Sequence, residues 1–297
     1  MQRSLEALKP SLQPCVLCPR ECKVERQKKL GRCGVGLSPK IAGYEPHFGE
    51  EACLVGRNGS GAIFFSGCNL GCVFCQTYEI SQEGLGQEIT SEELAQIMLK
   101  LQEEGCHNIN LVTPSHQIWA ILKALEQALT QGLTLPIVFN TGGYDKLETI
   151  KALEGVVDIY LADFKVWSEE TAEKYLKARD YPRVARKALK EMYRQVGNLI
   201  YDEQGLAKRG LIVRHLVLPH GLGETEKILR FIKEELSPEI HLNLMGHYHP
   251  AGRALEYPPL DRHLKRAEYE EALNMAAALG LKNLDQTHRP LLELILT

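Results

Sequence analysis

From about residue 60 onward, short apolar runs alternate with longer segments in which apolar residues return every three or four positions. The runs at 62–66, 108–113, 136–140, 156–162, 211–218 and 240–245 are rich in Ile, Val, Leu and Phe and are bounded by Gly, Pro or polar residues. Such runs predict strands. Between them, helices are expected over 92–104, 118–129, 146–153, 224–236 and 268–279. The first is the most fully specified: Thr90 and Ser91 offer caps, Glu92 and Glu93 suit the positive end of the helix dipole, and Leu94, Ile97, Met98 and Leu101 share one face. Gly105 ends it. Regular alternation of strand and helix predicts parallel β/α units, a pattern shared by an incomplete β/α barrel and an open doubly wound sheet.

One segment breaks the rhythm. Residues 174–194 carry eight Lys or Arg against two acidic residues, and 202–205 (DEQG) reads as a turn. We expect an inserted helical segment at about 168–209 with a solvated basic face; a phosphate- or substrate-binding lid is the alternative. The chain thus divides into a cysteine-rich N-terminal part, 1–57, and a β/α part, 58–297.

Composition narrows the picture. With 297 residues, 44% of them hydrophobic, the chain can bury a substantial core. A formal charge of −3 gives no global attraction to nucleic acid or anionic membrane, so neither is expected as a partner. The first fifteen residues lack the apolar centre of a signal peptide, and no run approaches the roughly 18 apolar residues that span a bilayer. A cytoplasmic location follows as an expectation. In that reducing compartment nine cysteines argue for metal ligation rather than disulfides. Seven of them fall in two tight groups; Cys53 and Cys106 stand apart and read as packing residues.

Cys68, Cys72 and Cys75 form a C-x3-C-x2-C loop leaving the first predicted strand. A four-iron cubane takes one ligand per iron, so three thiolates leave one iron open, whereas structural zinc takes four closed ligands. Gly67 and Gly71 permit backbone conformations that would turn amide N–H groups toward the cluster sulfurs.

This loop resembles that of radical SAM proteins, and the chain is similar to the group of pyruvate formate-lyase-activating enzymes from about residue 15 to 281. The resemblance implies a partial (β/α)6 TIM-type barrel, a 4Fe-4S cluster on Cys68, Cys72 and Cys75, and S-adenosyl-L-methionine (SAM) at the C-terminal mouth of the strands. It further implies a flavodoxin- or ferredoxin-type reductant and a glycyl-radical enzyme as protein substrate. Residue by residue, Phe74 resembles the aromatic that packs on the adenine, with Gln76 beside it. Asp163 and Lys165 resemble an acid and lysine for the ribose and carboxylate of SAM, and Arg214 lies in a segment similar to the family's fifth strand. Asn140 and Thr141 end the third strand, and 245–250 closes the adenine side. Where the family has a Gly-Gly-Glu turn, this chain has Thr113-Pro114-Ser115-His116, so Ser115 and His116 are expected to supply those hydrogen bonds.

Cys15, Cys18, Cys22 and Cys33 supply four further thiols, enough to saturate a metal in a small N-terminal metal-binding extension. Zinc and an iron–sulfur cluster both fit. None of His215, His220, His241, His247 or His249 is read as a ligand. Two other functions stay open: radical modification of a small molecule or peptide, and a non-catalytic zinc or iron–sulfur binding module.

Overall fold

The computed structural model describes residues 1–285 and 287. The chain opens with α1 (Gln2–Leu8) and a 3-10 turn (Lys9–Ser11), then runs through the cysteine-rich stretch to β1 (Lys40–His47). Next come α2 (Ala52–Val55), β2 (Ser60–Phe65), α3 (Tyr78–Ser81) and β3 (Gln87–Glu88). The repeating part is α4 (Ser91–Glu103), β4 (Ile109–Val112), α5 (Ile118–Thr130), β5 (Ile137–Thr141), α6 (Leu147–Ala152) and β6 (Ile159–Asp163). It continues through α7 (Glu169–Leu176), α8 (Tyr181–Val196), β7 (Ile200–Tyr201), β8 (Ala207–Leu216) and α9 (Thr225–Phe231), which a π turn (Ile232–Leu236) extends. β9 (His241–Met245) and α10 (Arg266–Ala278) complete the described elements.

Local chemistry explains the best-defined helix. Thr90 Oγ1 accepts from the Glu93 amide at 3.1 Å, and the Glu93 carboxylate accepts from the Thr90 amide at 2.7 Å, a reciprocal cap that satisfies two otherwise orphaned donors.

β2, β4, β5, β6, β8 and β9 pair in that order, all parallel. This mostly parallel sheet with helical crossovers is consistent with a partial TIM-type barrel. Its flanks are antiparallel: β1 pairs with β2, β3 with β1, and β7 makes a hairpin with β8 across the predicted 202–205 turn. The three flanking strands escaped the sequence reading for a physical reason. β1 is half-exposed along most of its length, and β3 and β7 are two exposed residues each, so none shows the apolar run of a buried strand.

Two expected boundaries change. Residues 40–57 belong to the sheet and its interior rather than to an N-terminal extension, because β1 extends the sheet and α2 enters the barrel. The basic segment is also no excursion. α8 packs against β6, β8 and α6, the place of the crossover helix between the fourth and fifth parallel strands. It buries Tyr181, Val184, Ala188, Leu189 and Met192 while Arg183, Lys187, Lys190 and Arg194 face solvent. Residues 288–297 of the expected β/α part lie outside the described residues.

Register places Phe64, Val112, Asn140, Leu161, Ile212 and His241 in one layer across the six parallel strands. Beneath and beside it, Leu54 of α2 is fully buried among Val138, Ile159, Leu161, Ala207 and Ile212, with Cys53 packed at its margin. An open barrel has space that its own strand side chains do not fill, and α2 occupies it. A larger core lies between the sheet and the outer helices, and includes Cys106. Leu54→Ala should therefore destabilise the fold by about 2–5 kcal/mol, the range for deleting a fully buried leucine. Guanidinium unfolding measures this, and a loss below about 1 kcal/mol would remove α2 from the core.

Candidate functional site

The cysteine loop leaves β2 at its C-terminal end and is fixed by backbone hydrogen bonds on both sides. Gly67 N–H donates to Ile80 O, Gly71 N–H to Leu176 O and Val73 N–H to Tyr175 O, each at 2.9 Å. Gly67 has a φ of +76°, and a Cβ there would lie 2.2 Å from the Cys33 carbonyl oxygen, so only glycine fits. The amides of Gly67 and Gly71 are thus committed to carbonyls, and the expectation that they face the thiols fails. The sulfurs find other donors: Leu70 N–H lies 3.4 Å from Cys68 Sγ and Ser81 Oγ lies 3.2 Å from Cys75 Sγ. Burial pushes the Cys68 thiol up to about 11 and raises that of Cys72 as well, so iron binding to them must displace protons.

All three cysteines line a cleft of about 380 Å³ at the C-terminal ends of the parallel strands. Phe74, Gln76, Asn140, Thr141, Asp163, Lys165, Arg214 and Met245 line it too. The volume is that of a site for a nucleoside-sized ligand. Phe74 is held edge-on by Tyr248, with ring centroids 6.2 Å apart. Lys165 Nζ donates to Asp163 Oδ2 at 2.5 Å. Burial opposes the lysine's charge, but Asp163 outweighs it and holds Lys165 protonated above its ordinary range. The two strand ends carrying these groups are bolted by Tyr181 of α8. Its buried hydroxyl accepts from the Lys165 amide at 2.9 Å and donates to Gly142 O at 3.0 Å.

The cleft floor holds residues that sequence reasoning missed. Arg214 makes a two-pronged pair with Glu51, Nε to Oε1 at 2.7 Å and Nη2 to Oε2 at 2.6 Å, and a further bond to Glu50. Asn243 donates to Glu51 Oε1 at 2.7 Å; Asn110 and Asn140 donate to Glu50 Oε1 at 3.0 and 3.2 Å. Four parallel strands are thereby tied to the segment that leads into α2. Burial works against the charge of Glu51, yet Arg214 and Asn243 bring its carboxyl below the ordinary range. The available signal was Arg214 itself: an arginine inside an apolar strand needs a buried carboxylate, and Glu50-Glu51 is an acidic pair just ahead of the barrel.

Residues 62–232 match the family model of the radical SAM superfamily. The chain belongs to that superfamily. Two uncharacterized proteins of Methanocaldococcus jannaschii are similar to it. One is 34% identical over 287 residues, covering 93% of this chain and 78% of the relative. The other is 23% identical over 296 residues, covering 90% of this chain and 79% of the relative. As a radical SAM protein the chain is an enzyme of that class, which works with a 4Fe-4S cluster and SAM. The described structure fits both: three thiols and a nucleoside-sized cleft share one mouth, with an acid–lysine pair among the lining groups. Among the described residues, no helix is long and apolar enough to cross a membrane.

Two expected contacts fall elsewhere. Neither Ser115 nor His116 lines the cleft. Ser115 Oγ lies 3.2 Å from Thr141 Oγ1, which donates to buried Asp145 at 2.7 Å. His116 turns the other way, its Nε2 2.8 Å from Ser66 O, and it lines a small pocket with Cys15, Cys18, Cys22, Cys33 and Arg26. The residue of this stretch that reaches the cleft is Thr113, whose φ of +62° places it in left-handed backbone after β4. The N-terminal cysteines thus converge, although among the described residues no three His, Cys, Asp or Glu side chains are arranged to hold one metal ion.

The Glu51–Arg214 pair has a definite pH signature. With Arg214 present, Glu51 contributes stability near neutrality that is lost as pH falls through its lowered pKa. In an Arg214→Met variant burial alone acts on Glu51, its pKa rises, and its contribution is instead lost as pH rises. The variant should be about 3–5 kcal/mol less stable near pH 7, with the deficit shrinking towards about pH 4. Urea unfolding across that range measures it; a deficit independent of pH would contradict the pairing.

Proposed function

We propose that Cys68, Cys72 and Cys75 hold a four-iron cubane with one iron left open, and that SAM bound in the adjoining cleft yields a 5′-deoxyadenosyl radical. That radical takes a hydrogen atom from a substrate at the barrel mouth, and the substrate is a glycine of a partner glycyl-radical enzyme. The observation that carries this reading is the composition of one cleft: three thiols, an aromatic ring and a buried acid–lysine pair facing a space of nucleoside size.

When bound, the cluster supplies the single electron that breaks a C–S bond of SAM. The chain's own residues bind and orient. Phe74 offers its face to the adenine, with Gln76 beside it. Asp163 is placed to accept from ribose hydroxyls, and protonated Lys165 to meet the carboxylate. Thr113 takes the position we assigned to Ser115 and His116. Asn140 and Arg214 act on SAM through the cleft floor, since their polar groups are already engaged by Glu50 and Glu51. The depth of the cleft keeps water from the radical.

The same reading gives the chain a flavodoxin- or ferredoxin-type reductant and a reducing, cytoplasmic setting. It also makes the N-terminal cysteines a second metal site, since four thiols in one pocket can close the coordination of a metal. Anaerobically reconstituted protein given reductant and SAM should release 5′-deoxyadenosine, and Cys75→Ala should abolish it. Lys165→Ala should raise the SAM concentration for half-maximal release about tenfold or more, because it removes a charged contact and leaves Asp163 unpaired. A glycyl EPR doublet on a candidate partner enzyme tests the substrate. SAM cleavage that is stimulated by a peptide or small molecule, without such a doublet, would transfer the activity to that class.

A further inference from the structure

We propose that Cys15, Cys18, Cys22 and Cys33 hold a redox-active iron–sulfur cluster that passes single electrons to the cluster of Cys68, Cys72 and Cys75. The proposal rests on the reading above, that both cysteine groups bind metal, and adds the identity and task of the N-terminal one.

The pocket asks for an anionic occupant. Arg26 is buried, with 5% of its surface exposed, and makes no carboxylate pair. Its guanidinium instead donates to the carbonyls of His116 and Val35 and approaches Cys33 Sγ at 3.9 Å, while its Nε has no partner. A permanent cation buried this way needs opposite charge close by. Metal-bound thiolates supply it. The second unmet group is His116, 1% exposed, whose Nδ1 also lacks a partner. Two orphaned polar atoms on side chains lining the same four-thiol pocket mark it as a built site.

Position argues for electron transfer. His116 reaches both clusters' surroundings: it lines the N-terminal pocket, and its Nε2 bonds to the carbonyl of Ser66, two residues before Cys68. Gly67, between them, is packed so closely on the Cys33 carbonyl that no side chain fits. The pocket therefore shares a wall with the radical loop. A metal that only stiffened the N-terminal stretch would gain nothing from that contact, whereas an electron relay requires it. In the balanced step, a one-electron carrier in solution reduces the N-terminal cluster by one electron. That cluster is then reoxidised as it reduces the second.

The Cys68→Ala/Cys72→Ala/Cys75→Ala variant, reconstituted anaerobically with iron and sulfide, isolates the pocket. About four irons and four sulfides per chain, with an EPR signal on dithionite reduction, are expected. About one zinc and no iron would overturn the relay while leaving a metal site; neither metal would overturn both. If this variant does not fold, the wild-type chain decides: about eight irons support the relay, and about four irons with one zinc defeat it. Adjacency has its own readout. In wild-type protein with both clusters reduced, each signal should relax faster than in the variant holding that cluster alone. A spectrum equal to the sum of the two isolated clusters would refute the relay. Release of 5′-deoxyadenosine with a small chemical reductant reports on the SAM site by itself, so failure there is distinguishable from failure of the relay.

Discussion

The structure turns on one buried ion pair, Arg214 with Glu51. The carboxylate is fully buried and meets the guanidinium through two bonds, with Asn243 satisfying one of its oxygens a second time. Glu51 directly precedes α2, so this pair locks into the barrel the segment that plugs it. Below the pair, Leu54 completes an apolar core; above it, the cleft begins. The charge cluster is thus the partition between a region that must be dry for stability and one that must admit a polar cofactor.

From that partition the cleft follows. Parallel strands end together, so groups near successive strand ends, Asn140, Asp163, Arg214 and Asn243, share one mouth although they are far apart in sequence. The outer layer fixes how those ends sit. Tyr181, brought in by a helix whose other face is strongly basic, holds the backbones of Gly142 and Lys165 through one hydroxyl. The basic face is the solvated side of a crossover helix, and the chemistry belongs to the face that is buried.

The N-terminal stretch is built into the same body. Leu8, Leu12, Cys15 and Leu17 join the core of the barrel's outer layer, and Thr149 of α6 donates to Leu17 O at 2.6 Å. It packs against the radical loop from behind, through Cys33 on Gly67. Whatever happens to the charge of one cysteine group is therefore felt at short range by the other.

The sequence by itself determined the six parallel strands, the principal helices between them and the three-cysteine loop. Each is encoded locally: an apolar run, a 3.6-residue period, a cap, or ligands a few residues apart. Its expectations for Phe74, Gln76, Asn140, Asp163 and Lys165 concern residues that line one cleft. Only the tertiary structure decided which residues meet across the chain. Glu50 and Glu51 reach Arg214 across more than 160 positions. His116 faces the N-terminal cysteines instead of the cleft, because the backbone after β4 turns at Thr113 into left-handed conformation. No local period records such pairings, since they arise from burying a charge and from closing a barrel, and both are satisfied by whichever groups the folded chain brings together.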